Sequence, residues 1–401
     1  MKLISGGITA PLGFKASGIN CGLKRNNKKD LALIYSEVPA IAAACFTANR
    51  VQSESIRVSK THLKNNKAQA IIINSGNANC CNGKRGVDDA ALMTKLTASG
   101  LKLPKEYVLV ASTGLIGRLL PIDKIKKAIP FLIKELNNNG SPDAAEAIMT
   151  TDKVSKEVAV EIKIDGFKIN IGGIAKGAGM ISPELATMLA FFTTDAFIDI
   201  AALKKIFKTS VDKSFNSITV DGDMSTNDMA LIFANGLANN PKIDKYDKNS
   251  RLFSDALDYV TLELAKKIVR DGEGATKFVE VRVKGVRKVS DAKKIAFKVA
   301  NSNLVKTALF GCDPNWGRIV AAVGASEVKF KDKNLVDIYL GDELVLKNGY
   351  SLNKKVPRLK RIFQKDEICI TIDLKMGKFG AEVFTCDLSD EYVRINAEYE
   401  S

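Results

Sequence analysis

Apolar and polar positions follow two rhythms along the chain. In the first 120 residues, short β-rich runs end in glycine and asparagine turns. LALIYSEV (31–38), AQAIIINSGNAN (68–79) and YVLVASTG (107–114) read as buried strands that stop in loops. Between them, VDDAALMTKLTASGLKL from Val87 has apolar residues at helical spacing, with Gly100 as its stop. A second helix is predicted from Pro121 to about Asn137, closed by the turn NNNGSPD. EVAVEIKIDGFKINIGGIA alternates strictly on both sides of Asp165–Gly166, a strong hairpin signal. Helices follow at 200–213 and 249–271.

After about Gly274 the texture changes. KFVEVRVKGV reads as a strand and SDAKKIAFKVANSNLVKTALFG as a helix, while LVDIYLGDELVLKNG and EICITIDLKMGKFGAEVFTCDLS look like hairpins. This pattern predicts a second, smaller α/β domain over 278–401, after a larger one over 1–277. Strands and helices mix without a regular βα repeat, so layered sandwich packing is expected rather than a doubly wound sheet.

Composition narrows the chemistry. A chain of 401 residues is long for one domain and long enough to bury a core unaided. It contains a single histidine, His62, in SKTHLKNN, so a multi-histidine metal site is excluded and a Ser-His-Asp triad would have to use that residue. His62 itself reads most simply as a solvated helix or loop residue. Seven cysteines, an odd number with no CxxC, fit reduced thiols rather than a disulfide framework. The longest uncharged apolar stretch, VPAIAAACFTAN (38–49), is too short to span a bilayer, and the start does not read as a secretory signal. A cytoplasmic location is expected. The net charge of +15 is spread over many sites, several on the wet faces of predicted helices. It suits attraction of small anions better than nucleic-acid binding, which calls for concentrated basic residues.

Four polar and glycine-rich segments interrupt this regular chain, and such segments are costly unless their backbone is needed. NSGNAN (74–79) and STGLIG (112–117) each follow a buried strand directly. A Thr-Gly at a strand end, here Thr113–Gly114, offers a hydroxyl and a freely oriented N–H, the parts of an oxyanion hole. AKGAGMISPELATMLAFFTTDA (175–196) carries conflicting signals: Ser182-Pro183-Glu184 looks like a helix start, yet 187–194 reads equally well as a strand. Conflicts of that kind collect at functional places. The fourth, ITVDGDMSTNDMA (218–230), crowds acidic, amide and hydroxyl groups into a loop without the spacing of a calcium site. No glycine run matches a nucleotide-binding loop.

Together these segments resemble one family. NSGNANCCNG, STGLIG, MTTDKVSK, KGAGMISPELATML, VDGDMSTND, DGEGATKF, FGCDPNWGRI and the terminal RINAEYES are similar, in order and spacing, to the ornithine acetyltransferases, also called glutamate N-acetyltransferases, of arginine biosynthesis. The resemblance covers essentially the whole chain. It implies a four-layer αββα sandwich with a smaller C-terminal α/β domain whose last residues return to the active site. It further implies self-cleavage between Ala186 and Thr187, giving chains 1–186 and 187–401 that assemble as an α2β2 heterotetramer.

The implied chemistry is ping-pong acyl transfer with Thr187 as nucleophile. A threonine freed at its own N-terminus can use its α-amine as general base, so no histidine is required. Thr113 and Gly114 are implied as the oxyanion hole. Thr150, Lys176, Thr187, Glu273, Asn396 and Ser401 are implied to bind substrate. No metal or cofactor is expected. Small-molecule partners would be N-acetylornithine and glutamate, and the resemblance leaves open whether acetyl-CoA also donates. A related N-terminal-nucleophile amidohydrolase or aminopeptidase, with water as acceptor, is the alternative.

Overall fold

The computed structural model describes residues 1–25, 27–182, 188–329, 336–353 and 356–398. Three expected site residues, Ala186, Thr187 and Ser401, lie outside the described residues. The chain packs as two units, one of Met1–Asn216 with Asp223–Ile268, the other of Ser217–Gly222 with Val269–Glu400. The sequence suggests a boundary at 277/278. The loop before it packs with the second unit, because Asp387 accepts the backbone N–H groups of Thr276 (2.8 Å) and Lys277 (3.0 Å).

The strands of the first unit are β1 (Lys2–Ile4), β2 (Phe14–Ile19), β3 (Leu31–Phe46), β4 (Lys67–Asn77), β5 (Val108–Leu115), β6 (Lys156–Ile164), β7 (Phe167–Lys176), β8 (Leu189–Thr194) and β9 (Met229–Ala234). They form one nine-stranded sheet ordered β1-β6-β7-β8-β9-β3-β4-β5, with β2 also on β3. The sixteen-residue β3 folds this ladder into two layers. Its first part pairs with β4, its last part with β9, and the register shifts between Tyr35 and Ala40, around Pro39. Proline cannot donate to a ladder, so pairing breaks where the strand changes layer.

The α-helices of this unit are α1 (Glu54–His62), α2 (Gly83–Leu101), α3 (Ile122–Lys134), α4 (Ser141–Ala147), α5 (Ile200–Lys213) and α6 (Lys248–Arg270). One face of β3, β4 and β5 meets α2 and α3 through Leu33, Ile72 and Val110 against Met93, Ile125 and Ile129. The opposite face packs through Ile34, Ile73 and Leu109 against Phe191, Leu231 and Phe233 of β8 and β9. Phe192, on the far side of β8, stacks edge-on against Phe207 of α5. Those layers make the αββα sandwich. The β6–β7 hairpin turns at Asp165–Gly166, where both φ angles are positive (+49° and +87°), as a two-residue primed turn requires.

In the second unit, β10 (Phe278–Val286), β11 (Asp337–Leu340), β12 (Glu343–Lys347), β13 (Tyr350–Ser351), β14 (Glu367–Asp373) and β15 (Phe379–Cys386) form a sheet ordered β13-β12-β11-β14-β10-β15. The helices are α7 (Val289–Ala300), α8 (Asn303–Phe310), α9 (Trp316–Gly324), α10 (Val356–Phe363) and α11 (Asp390–Ala397). Val279, Val281 and Val283 of β10 share a core with Ile295 and Val299 of α7. Two sequence expectations need correction. β14 and β15 are not a hairpin; β10 lies between them, parallel to β14 and antiparallel to β15. The helix expected over 290–311 is two, because Ser302 caps a new start at the Val305 N–H.

Candidate active site

The asparagines of NSGNAN hold loop backbone in place. Asn74 Nδ2 donates to the Asn77 carbonyl (2.9 Å), and Asn77 Nδ2 to the carbonyls of Arg118 and Leu119 (3.2 Å each). Asn79 Nδ2 donates to the Gly86 carbonyl (2.9 Å). Beside them, parallel β4 and β5 lose register at Gly76–Asn77, with Asn77 opposite both Thr113 and Leu115. Gly114 sits there at φ +131°, and a Cβ on it would fall 2.3 Å from the Gly76 carbonyl carbon. Only glycine fits. Thr113 and Gly114 are thus neighbours at an irregular strand end, in keeping with the expectation from sequence.

Thr150 and Lys176 are also brought together. Lys176 Nζ donates to Thr150 Oγ1 at 2.6 Å. Between them lies Asp152, which the sequence reading did not single out. Its Oδ1 accepts Lys156 Nζ and the Gly177 N–H (2.7 Å each), and its Oδ2 accepts the Thr150 N–H (3.0 Å) and lies 3.9 Å from Lys176 Nζ. The side chains of Asp152, Lys156 and Lys176 are 0%, 1% and 2% exposed. Burial alone would raise the Asp152 carboxyl, but Lys176, Lys156 and the Gly177 N–H outweigh it and hold it at about 2. The trio has one more positive than negative group, which suits a substrate carboxylate.

Lys156 carried a readable signal. It begins β6 at the same parity as Val158, Val160, Ile162 and Ile164, all buried, so a lysine there points inward. Lys24 runs over Gly76, where a Cβ would lie 3.3 Å from its Cγ. Burial pushes its ammonium down to about 8 against the pull of Asp30, and Lys176 adds to the depression.

The loop over 218–230 supplies further residues that the sequence reading left unassigned. Asn227 Nδ2 donates to the carbonyls of Ala78 (2.6 Å) and Ser112 (2.8 Å), gripping the chain just before Thr113. Asp228 Oδ1 accepts the Met188 N–H at 2.7 Å, at the head of β8. This single turn therefore ties the Thr113–Gly114 segment to the strand that follows Thr187.

In the second unit, Asn396 Nδ2 of α11 donates to Glu273 Oε2 at 2.8 Å. The loop carrying Glu273 is held by Ser389, whose Oγ donates to the Gly274 carbonyl at 2.6 Å. His62 is a correction: it is half-buried at the end of α1, with Nδ1 2.8 Å from the Val108 carbonyl. Among the described residues no group of His, Cys, Asp and Glu is placed to hold a metal, and no helix is long and apolar enough to cross a membrane.

The ArgJ family model matches residues 15–401. This chain belongs to the ArgJ family. It is similar along its whole length to the arginine biosynthesis bifunctional protein ArgJ of Symbiobacterium thermophilum, 47% identical over 100% of both chains. It is 49% identical to the glutamate N-acetyltransferase of Methanocaldococcus jannaschii, again over 100% of both. Among solved structures, the ornithine acetyltransferase of Mycobacterium tuberculosis, complexed with ornithine, matches 46% of this chain and 99% of its own, at 38% identity and a TM-score of 0.43. As an ArgJ family member, the chain is an acetyltransferase of arginine biosynthesis.

Proposed function

We propose that the chain moves the acetyl group of N-acetylornithine to glutamate through an acetyl ester on Thr187. The observation that carries this is the turn 225–228, which fastens the Thr113–Gly114 segment and the head of β8 to one short stretch of chain. Nucleophile and oxyanion donors must be held together in this way for acyl transfer. Thr187 Oγ attacks the acetyl carbonyl while its own α-amine takes the hydroxyl proton. The Thr113 hydroxyl and Gly114 N–H receive the oxyanion, each such donor contributing about 3 kcal/mol. The tetrahedral intermediate collapses, ornithine leaves carrying that proton, and the glutamate amine attacks the ester to release N-acetylglutamate. Lys176, steadied by Asp152 and Thr150, is the partner for a substrate carboxylate; Glu273, Asn396 and Ser401 are the further substrate-binding residues that the family resemblance implies.

The proposal includes cleavage between Ala186 and Thr187, an α2β2 assembly and a cytoplasmic location. Intact-mass analysis under denaturing conditions should show two chains, the second beginning at Thr187, and Thr187→Ala should stay whole and inactive. An uncut wild-type chain that transfers acetyl groups normally sinks the mechanism. Acetylornithine with glutamate should yield acetylglutamate; free acetate instead would favour the hydrolase reading. The word bifunctional in the relatives' names motivates a second donor, so acetyl-CoA with glutamate should also yield acetylglutamate.

A further inference from the structure

The loop that follows β4 carries two adjacent thiols that the reaction described above does not use. Cys80 is fully buried, and Cys81 beside it is exposed. Side chains of adjacent residues in an extended chain point to opposite faces. Here Cys81 takes a left-handed conformation, φ +63°, and the two Sγ atoms stand 3.8 Å apart. Left-handed backbone is uncommon for a residue with a Cβ, so the loop holds the sulfurs together against its local preference.

We propose that Cys80 and Cys81 form a two-sulfur binding site for a trivalent arsenical, and that filling it slows acetyl transfer. A disulfide fits the pair less well. Consecutive Cα atoms lie about 3.8 Å apart, whereas disulfides usually span about 4.4–6.8 Å between Cα atoms, so the pair stays a dithiol. A soft atom set between the sulfurs asks for less. Bonds of about 2.3 Å, the length of a zinc–thiolate bond, reach both sulfurs of this pair with little movement of either. Zinc itself takes four ligands, and among the described residues no group of three His, Cys, Asp or Glu is placed to hold a metal. An organic arsenical oxide needs only two. It forms two As–S bonds and loses its oxygen with the two thiol protons as one water. Arsenic stays trivalent, so no oxidant or reductant takes part.

The order of capture follows from exposure. Burial pushes the Cys80 thiol up, against the pull of the Thr226 hydroxyl, so the first bond forms at Cys81 and the second closes inward. That closure disturbs groups that hold the Thr113–Gly114 strand end. Thr226 donates its hydroxyl to Asn227 Oδ1 (2.6 Å), and Asn227 grips the Ala78 and Ser112 carbonyls. The Ala78 N–H donates to the Leu115 carbonyl (2.9 Å), and the Gly117 N–H to the Cys80 carbonyl (3.0 Å). A group bonded to both sulfurs therefore pulls on the chain at each end of 112–117. The effect on transfer rests on the proposed oxyanion role of Thr113 and Gly114; capture itself does not.

Phenylarsine oxide, one equivalent per full-length chain, tests this. Native mass analysis should show one adduct of the arsenical less one water, and two thiols per chain should stop reacting with a thiol reagent. Acetyl transfer should fall about tenfold or more, since a shift of about 1 Å in a catalytic geometry can cost about a hundredfold. Dithiothreitol should restore it, and mercaptoethanol at the same thiol concentration should not. Cys80→Ala and Cys81→Ala should each keep basal transfer and lose both the adduct and the inhibition. Cys81 is exposed, so C81A carries the test even if C80A folds poorly. No adduct on the wild type, or an adduct that survives in either variant, overturns the site. An adduct that leaves transfer unchanged overturns the coupling to Thr113. Failure of the Thr187 mechanism is read separately, from whether the second chain begins at Thr187.

Discussion

Two buried aspartates of the same unit meet opposite fates. Asp152 is surrounded by Lys156, Lys176 and two backbone N–H groups, and its carboxyl is held at about 2. Asp228 is equally buried; burial pushes its carboxyl up, and the Met188 N–H, the Thr47 hydroxyl and the charge of Lys176 do not offset that, while its Oδ2 has no hydrogen-bond partner among the described residues. Burial acts the same way on both. What separates them is whether the charged form finds partners, so one carboxylate serves as structure and the other stays ready to exchange a proton.

The largest expected effect comes from removing the partnered carboxylate. Asp152→Asn leaves Lys156 and Lys176 buried together without their counter-charge, a loss of about 3–5 kcal/mol. Urea unfolding should show it, and acetyl transfer should fall with it because Thr150, Lys176 and Gly177 all lose their common anchor. A D152N protein within about 1 kcal/mol of wild type would break the comparison, since it would mean that solvent screens the trio.

A smaller effect carries the sign. The Asp152 value is depressed on folding, so its contribution is fully present above about pH 4 and is lost as pH falls through about 2. For Asp228 the folded value is raised, so the folded chain keeps a proton that the unfolded chain releases above about pH 4. Stability then declines as pH rises from there toward the folded pKa. In the uncut Thr187→Ala chain, adding D228N should therefore give a urea midpoint that gains on its parent as pH climbs above about 4. Parallel curves would show that Asp228 does not titrate differently in the folded chain.

The same contrast explains what the sequence could reveal. Local rhythm located the strands ending at NSGNAN and STGLIG, the Asp165–Gly166 hairpin and the helix at 200–213, since each rests on neighbours in the chain. The motif resemblance reached Thr113, Gly114, Thr150 and Lys176. Asp152 and Asp228 escaped because their meaning lies in partners far along the chain: Gly177 is 25 residues from Asp152, and Met188 is 40 from Asp228. The placement of β10 between β14 and β15 escaped for a related reason. Two runs joined by LKMGK look like a hairpin until a third strand, from about 90 positions earlier, claims the space between them.

The smallest stability effect is expected in the second unit, where one member of the polar pair, Asn396, faces solvent while Glu273 is buried. Asn396 is exposed, and its bond to Glu273 can be replaced by water, so Asn396→Ala should shift the unfolding midpoint by no more than about 0.5 kcal/mol. Its effect belongs to substrate. A hydrogen bond to a charged group is worth about 1.5–3 kcal/mol, so losing one such contact should raise KM roughly tenfold or more, with kcat little changed. Asp152→Asn moves stability and activity together, whereas Asn396→Ala should move KM alone. Were Asn396→Ala to cost stability comparable to Asp152→Asn, the exposure of Asn396 would not be what divides the two polar pairs, and Glu273–Asn396 would have to be reread as scaffold.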